Sequence, residues 1–334
     1  MYNQNAGAIM VHSREERIRG AIWGQFVGDA FCLGSHWIYD LTELDQHFPD
    51  GPQGFEVPAT GHYHFGKQSG DQTHYGDGAL LFLKSLAERG TFDAVKFGSR
   101  FVALFDSPGY RGYRDHATKE TIAAFHTFCA AHPDIPFAFQ SGADDDQPAT
   151  VSRLAPLAAL YCRHPDYLSI VERATLVCQN NRRAVAYARA HALILCELLS
   201  GTVFHEAIRT VADSMADIGG ADVEVFECIT AAVTAAHMDV RETTLRFGQS
   251  CPLKSSFSAA LQCALHHDGD FAGAMRANAA AGGDSAGRAA MIGAWLGAAY
   301  GVDALPRAWR ESLTAREEIA AGAERIVALV RDGV

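Results

Sequence analysis

The chain has 334 residues, 48% of them hydrophobic and 20% charged, with a formal net charge of −11 when histidine is neutral. That balance can bury a large core, excludes long disordered regions, and argues against non-specific nucleic-acid binding, which needs a basic surface to displace counterions. Eight cysteines are scattered without a CxxC pair, the N-terminus lacks a secretion-type apolar core, and no apolar run reaches bilayer length; the expectation is a cytoplasmic protein with reduced thiols and no membrane partner.

Residues 1–12 read as a flexible tail, and Ser13 with Glu16 forms a capping-box pattern that should start the first helix of one domain covering 13–334. In that helix Gly20, Gly24 and Gly28 lie on one face and invite another helix close, although each costs about 1 kcal/mol relative to alanine. Asp29 follows in an apolar setting, either paired or poised at a site. After SHWIYD and a short helix over 41–48, residues 49–72 form a long loop rich in Gly, Pro, His and aromatic residues, suited to a lid over a planar ligand or to a cover for the core. His62 and His64 match a metal pair poorly, because no Cys or further His stands at ligand spacing.

Thr73 to Asp77 begin the next helix, where an acid in the first turn favours the positive end of the dipole and by itself implies no chemistry. An aromatic and basic loop (107–118), a helix over 119–131 and an acidic loop with Asp144, Asp145 and Asp146 follow. The acidic triplet reads as a solvated loop rather than a cation site. Beyond residue 166, apolar residues recur at three and four spacing over 167–177, 183–200, 205–215, 223–237, 256–265 and 271–280, with no sustained strand-like alternation. The fold class expected is all-α, a compact single-domain, multi-helix bundle. The segment ANAAAGGDSAGRAAMIGAWLGAAYG (277–301) sets Asp284 after two glycines and before small residues. Its uncharged stretch from 289 to 300 should be buried on every side. Asp284 and Arg288 stand at the mouth of that helix, where backbone N–H groups favour an anion, or form a glycine-capped junction without further role.

Four stretches in order resemble the ADP-ribosylglycohydrolase family, all-helical enzymes that remove ADP-ribose from protein side chains. RIRGAIWGQFVGDAF resembles the family's RxxGxxxGxxxGDAL helix, and THYGDGALLFLKSL stands where the family has TDDTxxALALAxSL. SRLAPLAALY and TLVCQNNRRAVAYARAHALIL resemble its MRxAPL and T-H-x-x-x-A helices. AGGDSAGRAAMIGAWLGAAYG, with Pro306 and Trp309 after it, resembles GGDTDTxAAxxGALAGAYYG and IPxxW. The resemblance implies an orthogonal helical bundle and two magnesium ions held by carboxylate and hydroxyl oxygens of the TDD and DxDT segments. Here those segments read Thr73-His74-Tyr75 and Asp284-Ser285-Ala286-Gly287. Thr73 and Asp284 alone match ligand positions, with Asp77 one turn on as a replacement, so no cofactor is secure and magnesium would occupy a degraded site. For the family's acidic residue after GDALGxPxE, the nearest polar candidates are His36 and Asp40. THYGD, HWIYD, QNN and AGGDxxxR resemble the divergent branch that contains lens J-crystallins and a selenoprotein relative.

The function implied is hydrolysis of an N-glycosidic bond in ADP-ribose or a related ribosyl compound, free or on an ADP-ribosylated substrate. Asp77 or Asp284 would act as base and counter-charge, and His74 or His36 as acid. Tyr39, Tyr75, Tyr110, Arg111, Asn180, Asn181, Ser285 and Arg288 would line the substrate, with Arg288 pairing with Asp284 or gripping a phosphate. The alternatives are a crystallin-like binding or structural protein without turnover, and a conventional magnesium-dependent ADP-ribosyl-arginine hydrolase. The oligomeric state is left open.

Overall fold

The computed structural model describes residues 12–216 and 220–333; the expected tail, apart from His12, lies outside the described residues. Among these, sixteen α-helices supply the regular structure, and strand pairing is limited to one isolated bridge between Ala143 and Gln179. In chain order they are α1 (Arg14–Phe31), α2 (Leu41–His47), α3 (His74–Arg89), α4 (Ala94–Phe105), α5 (His116–Ala131), α6 (Ala155–Tyr161), α7 (Tyr167–Leu176) and α8 (Arg182–Ser200). The second half holds α9 (Phe204–Ala216), α10 (Ala221–Thr234), α11 (Val240–Phe247), α12 (Leu253–His266), α13 (Phe271–Ala280), α14 (Ser285–Tyr300), α15 (Arg307–Ser312) and α16 (Arg316–Arg331). The expected all-α architecture is therefore present.

The capping box forms as the pattern predicts: Glu16 N–H donates to Ser13 Oγ at 3.2 Å, and Ser13 N–H donates to Glu16 Oε2 at 2.6 Å. The glycine face of α1 then meets α14 antiparallel. A Cβ on Gly20, Gly24 or Gly28 would land on the backbone carbonyl of Gly297, Gly293 or Ala289 respectively. Close approach of two backbones explains glycines whose intrinsic helix cost is otherwise unrepaid. Residues 285–299 of α14 are all buried, as its lack of charge requires, with α1, α8, α12 and α13 packed around it.

This pairing sets where the polar residues gather. The C-terminal end of α1, not its start near Ser13, meets the N-termini of α3 and α14. Asp29 at that end is paired: it accepts Thr73 Oγ–H at 2.5 Å and Thr73 N–H at 2.7 Å, and so fastens α1 to the N-cap of α3. Burial pushes its carboxyl up to about 6, against the lowering effect of the two Thr73 hydrogen bonds.

The acidic triplet departs from the expectation of a solvated loop. Asp145 is buried and accepts hydrogen bonds from Gln179 Nε2 at 3.0 Å and Gln147 N–H at 2.9 Å, while Asp144 alone of the three is exposed. Residues 49–72 carry no helix, as expected, and all eight cysteines are free thiols.

Candidate functional site

The site begins at the turn before α14. Gly282 and Gly283 both take left-handed angles (φ 69° and 66°), which bends the chain so that Gly283 N–H reaches Ile38 O at 2.8 Å and Gly283 O receives Trp37 N–H at 2.7 Å. Asp284 is then the N-cap of α14, accepting Gly287 N–H on Oδ1 at 3.2 Å and the Tyr75 hydroxyl on Oδ2 at 3.2 Å. It has no solvent exposure, and burial raises its pKa against the opposing pull of Arg288 and the Gly287 amide.

Arg288 corrects one expectation: it is not hydrogen-bonded to Asp284. Its Nε donates to Asn278 Oδ1 at 2.8 Å, and its Nη2 donates to the carbonyls of Gly282 and, at 3.4 Å, Asn278. The guanidinium thus closes the C-terminal end of α13, where free carbonyls and the negative dipole end attract a cation. It is fully buried and lies out of reach of a phosphate in this conformation. Ser285 is buried beside it, and its hydroxyl has no partner.

Two predicted histidines and one set aside by the sequence meet next to Asp284. His36 places Nδ1 3.3 Å from the Ala286 amide and 3.6 Å from Asp284 Oδ1. His74, in the first turn of α3, places Nε2 3.5 Å from Oδ2 of Asp115, the N-cap of α5. His64 arrives from the long loop. One nitrogen from each of the three rings lies within 4.8 Å of the others. Burial, reinforced by the neighbouring imidazoles, holds His36 and His64 well below the usual histidine range, so both rings are neutral. Burial alone would raise Asp115; His74 and the Thr118 hydroxyl and amide outweigh it and hold the carboxyl at about 2.

Aromatic rings roof this cluster. Trp37 stacks on His36 at 4.2 Å between centroids, with Tyr113 and Tyr63 edge-on to its indole at 4.8 and 5.2 Å. Trp37 holds a left-handed φ of 64°, a strained state for a bulky residue that costs about 1–3 kcal/mol. Its backbone bond to Gly283 and an Nε1–H bond to Cys251 Sγ at 3.3 Å keep it there. Under this roof His36, His64, His74, Tyr75 and Asp284 are each at most 3% exposed.

The remaining predicted residues fall elsewhere. Asp77 faces away from Asp284 and accepts Lys67 Nζ–H and Tyr110 O–H, both at 2.8 Å. With Tyr110, Arg111 and Lys84 it lines an open cavity of about 550 Å³. Asn181 caps α8, and exposed Asn180 borders a separate depression with Arg189 and Asp222. Tyr39 is 44% exposed, with its hydroxyl 3.6 Å from Cys251 Sγ. Thr73 is buried with its hydroxyl committed to Asp29. Residues that the sequence reading did not select are His64, Asp115, Trp37 and Cys251. His64 stood in a pair with His62, but its partners His36 and His74 come from other elements, so no local spacing announces the cluster.

The magnesium site implied by the resemblance does not fit these residues. A hard cation wants six or more oxygen ligands. Here the Thr73 hydroxyl serves Asp29, Asp77 is tied to Lys67, and His74, Tyr75, Ala286 and Gly287 stand at four of the positions where the family motifs carry carboxylate or hydroxyl oxygens.

A fold of this kind around a glycine-packed helix pair, with its polar residues at the α1, α3 and α14 ends, defines an ADP-ribosylglycohydrolase-like protein. The family model for ADP-ribosylglycohydrolase matches residues 10–333, and the chain belongs to that family. Among curated proteins it is 26% identical to crystallin J1A of Tripedalia cystophora over 324 residues, covering 95% of this chain and 98% of that one. Crystallin J1B of the same animal is 24% identical with the same coverage. A solved structure described as an ADP-ribosylglycohydrolase-related protein complex superposes with a TM-score of 0.75 at 23% identity, over 95% of this chain and 99% of that one; this likeness shows the fold.

Proposed function

We propose that the chain is a hydrolase of an N-glycosidic bond in ADP-ribose or a related ribosyl compound, with Asp284 as the central charge. The observation that carries this reading is a fully buried carboxylate at a helix N-terminus, bonded to the Tyr75 hydroxyl with the His36 ring 3.6 Å away. A fold needing only a helix cap does not require a desolvated charge surrounded by imidazoles. Scission of the bond leaves positive charge on the ribose ring, which Asp284 would offset; alternatively, the carboxylate would accept the proton of an attacking water. The departing group needs a proton, and His74, oriented by ionised Asp115, stands close enough to supply it; His36, the other candidate, is held neutral by burial and has no acidic proton to give.

Substrate reaches Asp284 only if the Trp37, Tyr63 and Tyr113 roof swings away, and the strain held at Trp37 favours that movement. The test is release of base, nicotinamide or protein-side-chain leaving groups from a panel of ribosyl nucleotides and ADP-ribosylated peptides, compared with Asp284→Asn. Release by the wild type that falls in the variant supports the reading; absence of release across the panel ends it.

The sealed centre favours a second reading, a crystallin-like protein that keeps the fold without turnover. A ligand from the same panel that raises Tm without being consumed would support a binding role in its place.

A further inference from the structure

We propose that His36, His64 and His74 form a binding site for one borderline divalent metal ion, zinc being the cation of choice. The ion would lie beneath Trp37, backed by Asp284 and Asp115.

Four of the six ring nitrogens in this cluster have neither a hydrogen-bond nor an ion-pair partner: His36 Nε2, both nitrogens of His64 and His74 Nδ1. All three rings are nearly or wholly inaccessible to solvent. Buried polar atoms are ordinarily satisfied, and several orphans in one place point to a missing partner that accepts lone pairs from imidazoles. Water would satisfy some of them. A metal ion accounts for two further features as well.

The first is the arrangement of carboxylates. Ligating histidines commonly hand their second nitrogen to a carboxylate, which fixes the tautomer and raises the basicity of the ligand. Asp284 lies 3.6 Å from Nδ1 of His36, and Asp115 lies 3.5 Å from Nε2 of His74. The opposite nitrogens, His36 Nε2 and His74 Nδ1, are left unpartnered. For His36 to ligate through Nε2, its proton must sit on Nδ1 and turn from the Ala286 amide towards Asp284, a change of tautomer and small rotation. The two carboxylates also offset a double positive charge within a low-dielectric interior.

The second feature is the donor type. Neutral imidazoles suit zinc and its neighbours, whereas magnesium requires oxygen. Zinc–nitrogen bonds of about 2.0–2.1 Å in a tetrahedral site put the ligand atoms about 3.4 Å apart. The cluster spans up to 4.8 Å, so it must tighten. His36 lies in the turn that follows α1 and His74 in the first turn of α3, while His64 belongs to the 49–72 loop and is the ring placed to close in.

Zinc and the proton-donor role of His74 exclude each other, so the site is tested by binding and spectrum rather than by turnover. Full-length protein is stripped with a chelator and titrated with Co²⁺. The expected result is one equivalent bound, with the intense visible bands of four- or five-coordinate cobalt, bleached by Zn²⁺ and unaffected by Mg²⁺. His64→Gln and His74→Gln should weaken binding at least 100-fold. Asp115→Asn should weaken it about 10–100-fold, the effect of losing a carboxylate behind a ligating histidine. His126→Gln, an exposed residue paired with Asp106, should change nothing. Circular dichroism checks that each variant is folded. Should His74→Gln unfold, His64→Gln decides the matter, since His64 lies on a loop and its ring forms no hydrogen bond that the change would break. Absence of bound cobalt, a six-coordinate spectrum, or binding undiminished in His64→Gln overturns the proposal.

Discussion

Replacing Asp284 by asparagine and by alanine separates its charge from its hydrogen bonds. Asparagine keeps an acceptor for the Gly287 amide, and its NH₂ group can donate to the Tyr75 oxygen, so the α14 cap survives. Alanine removes the cap, worth about 1 kcal/mol, and leaves the buried Tyr75 hydroxyl unpaired at about 1–3 kcal/mol. Both variants lack the charge, so any charge effect cancels between them, and alanine should lie about 2–4 kcal/mol below asparagine. With an unfolding entropy of about 2.1 cal/mol/K per residue over 334 residues, that difference is about 3–6 °C in Tm. Arg288 keeps its carbonyl hydrogen bonds in Asp284→Asn but loses the opposite charge that acts on it, so the variant should lose part, not all, of the about 3 kcal/mol that breaking a hydrogen-bonded buried ion pair would cause. The sign with pH follows from burial. A carboxyl whose folded pKa is raised adds stability below its unfolded value and loses it as pH rises through the folded value. The asparagine variant should therefore gain on the wild type as pH increases. Turnover, if Asp284 supplies the charge, should fall by about 10²-fold or more in Asp284→Asn. Calorimetric melting at several pH values with a turnover assay reads all of this. Undiminished turnover in Asp284→Asn refutes the catalytic assignment, and a drop in its Tm as large as that of alanine refutes the hydrogen-bond accounting.

Gly24→Ala should cost about 3 kcal/mol, the upper part of the overpacking range, because the obstruction is the backbone carbonyl of Gly293; an unchanged denaturation midpoint would contradict the close α1–α14 pairing. Asp29, held at about 6 when folded against about 3.8 unfolded, should lose on the order of 3 kcal/mol of stability as pH rises from about 4 to beyond 6. Urea denaturation across that range should show this slope in the wild type and not in Asp29→Asn, and equal slopes would refute it. Magnesium should bind poorly, since Thr73 and Asp77 are already committed to Asp29 and Lys67. Calorimetry finding two magnesium ions at micromolar affinity would revive the conventional ADP-ribosyl-arginine hydrolase.

The helical class, the capping box at Ser13, the buried α14 and the role of Gly20, Gly24 and Gly28 were legible in the sequence because each is a local matter. Period, cap chemistry and the absence of charge are written within one helix and need no knowledge of its neighbours. The family motifs extended that reading to the whole chain. The partners of the polar residues were not legible, because they come from distant parts of the chain. Asp29 finds Thr73 44 residues away, Tyr75 finds Asp284 209 residues away, and Arg288 turns from the adjacent acid to the carbonyls at the end of α13. Asp77 and Asp284 looked like one site because their motifs are one site in the family. The first turn of α3 instead sends Tyr75 towards Asp284 and Asp77 towards the 107–112 loop, as their different directions around a helix require. The grouping of His36, His64 and His74 depends on how a loop lies across two helix ends, a packing outcome that no spacing in the chain records.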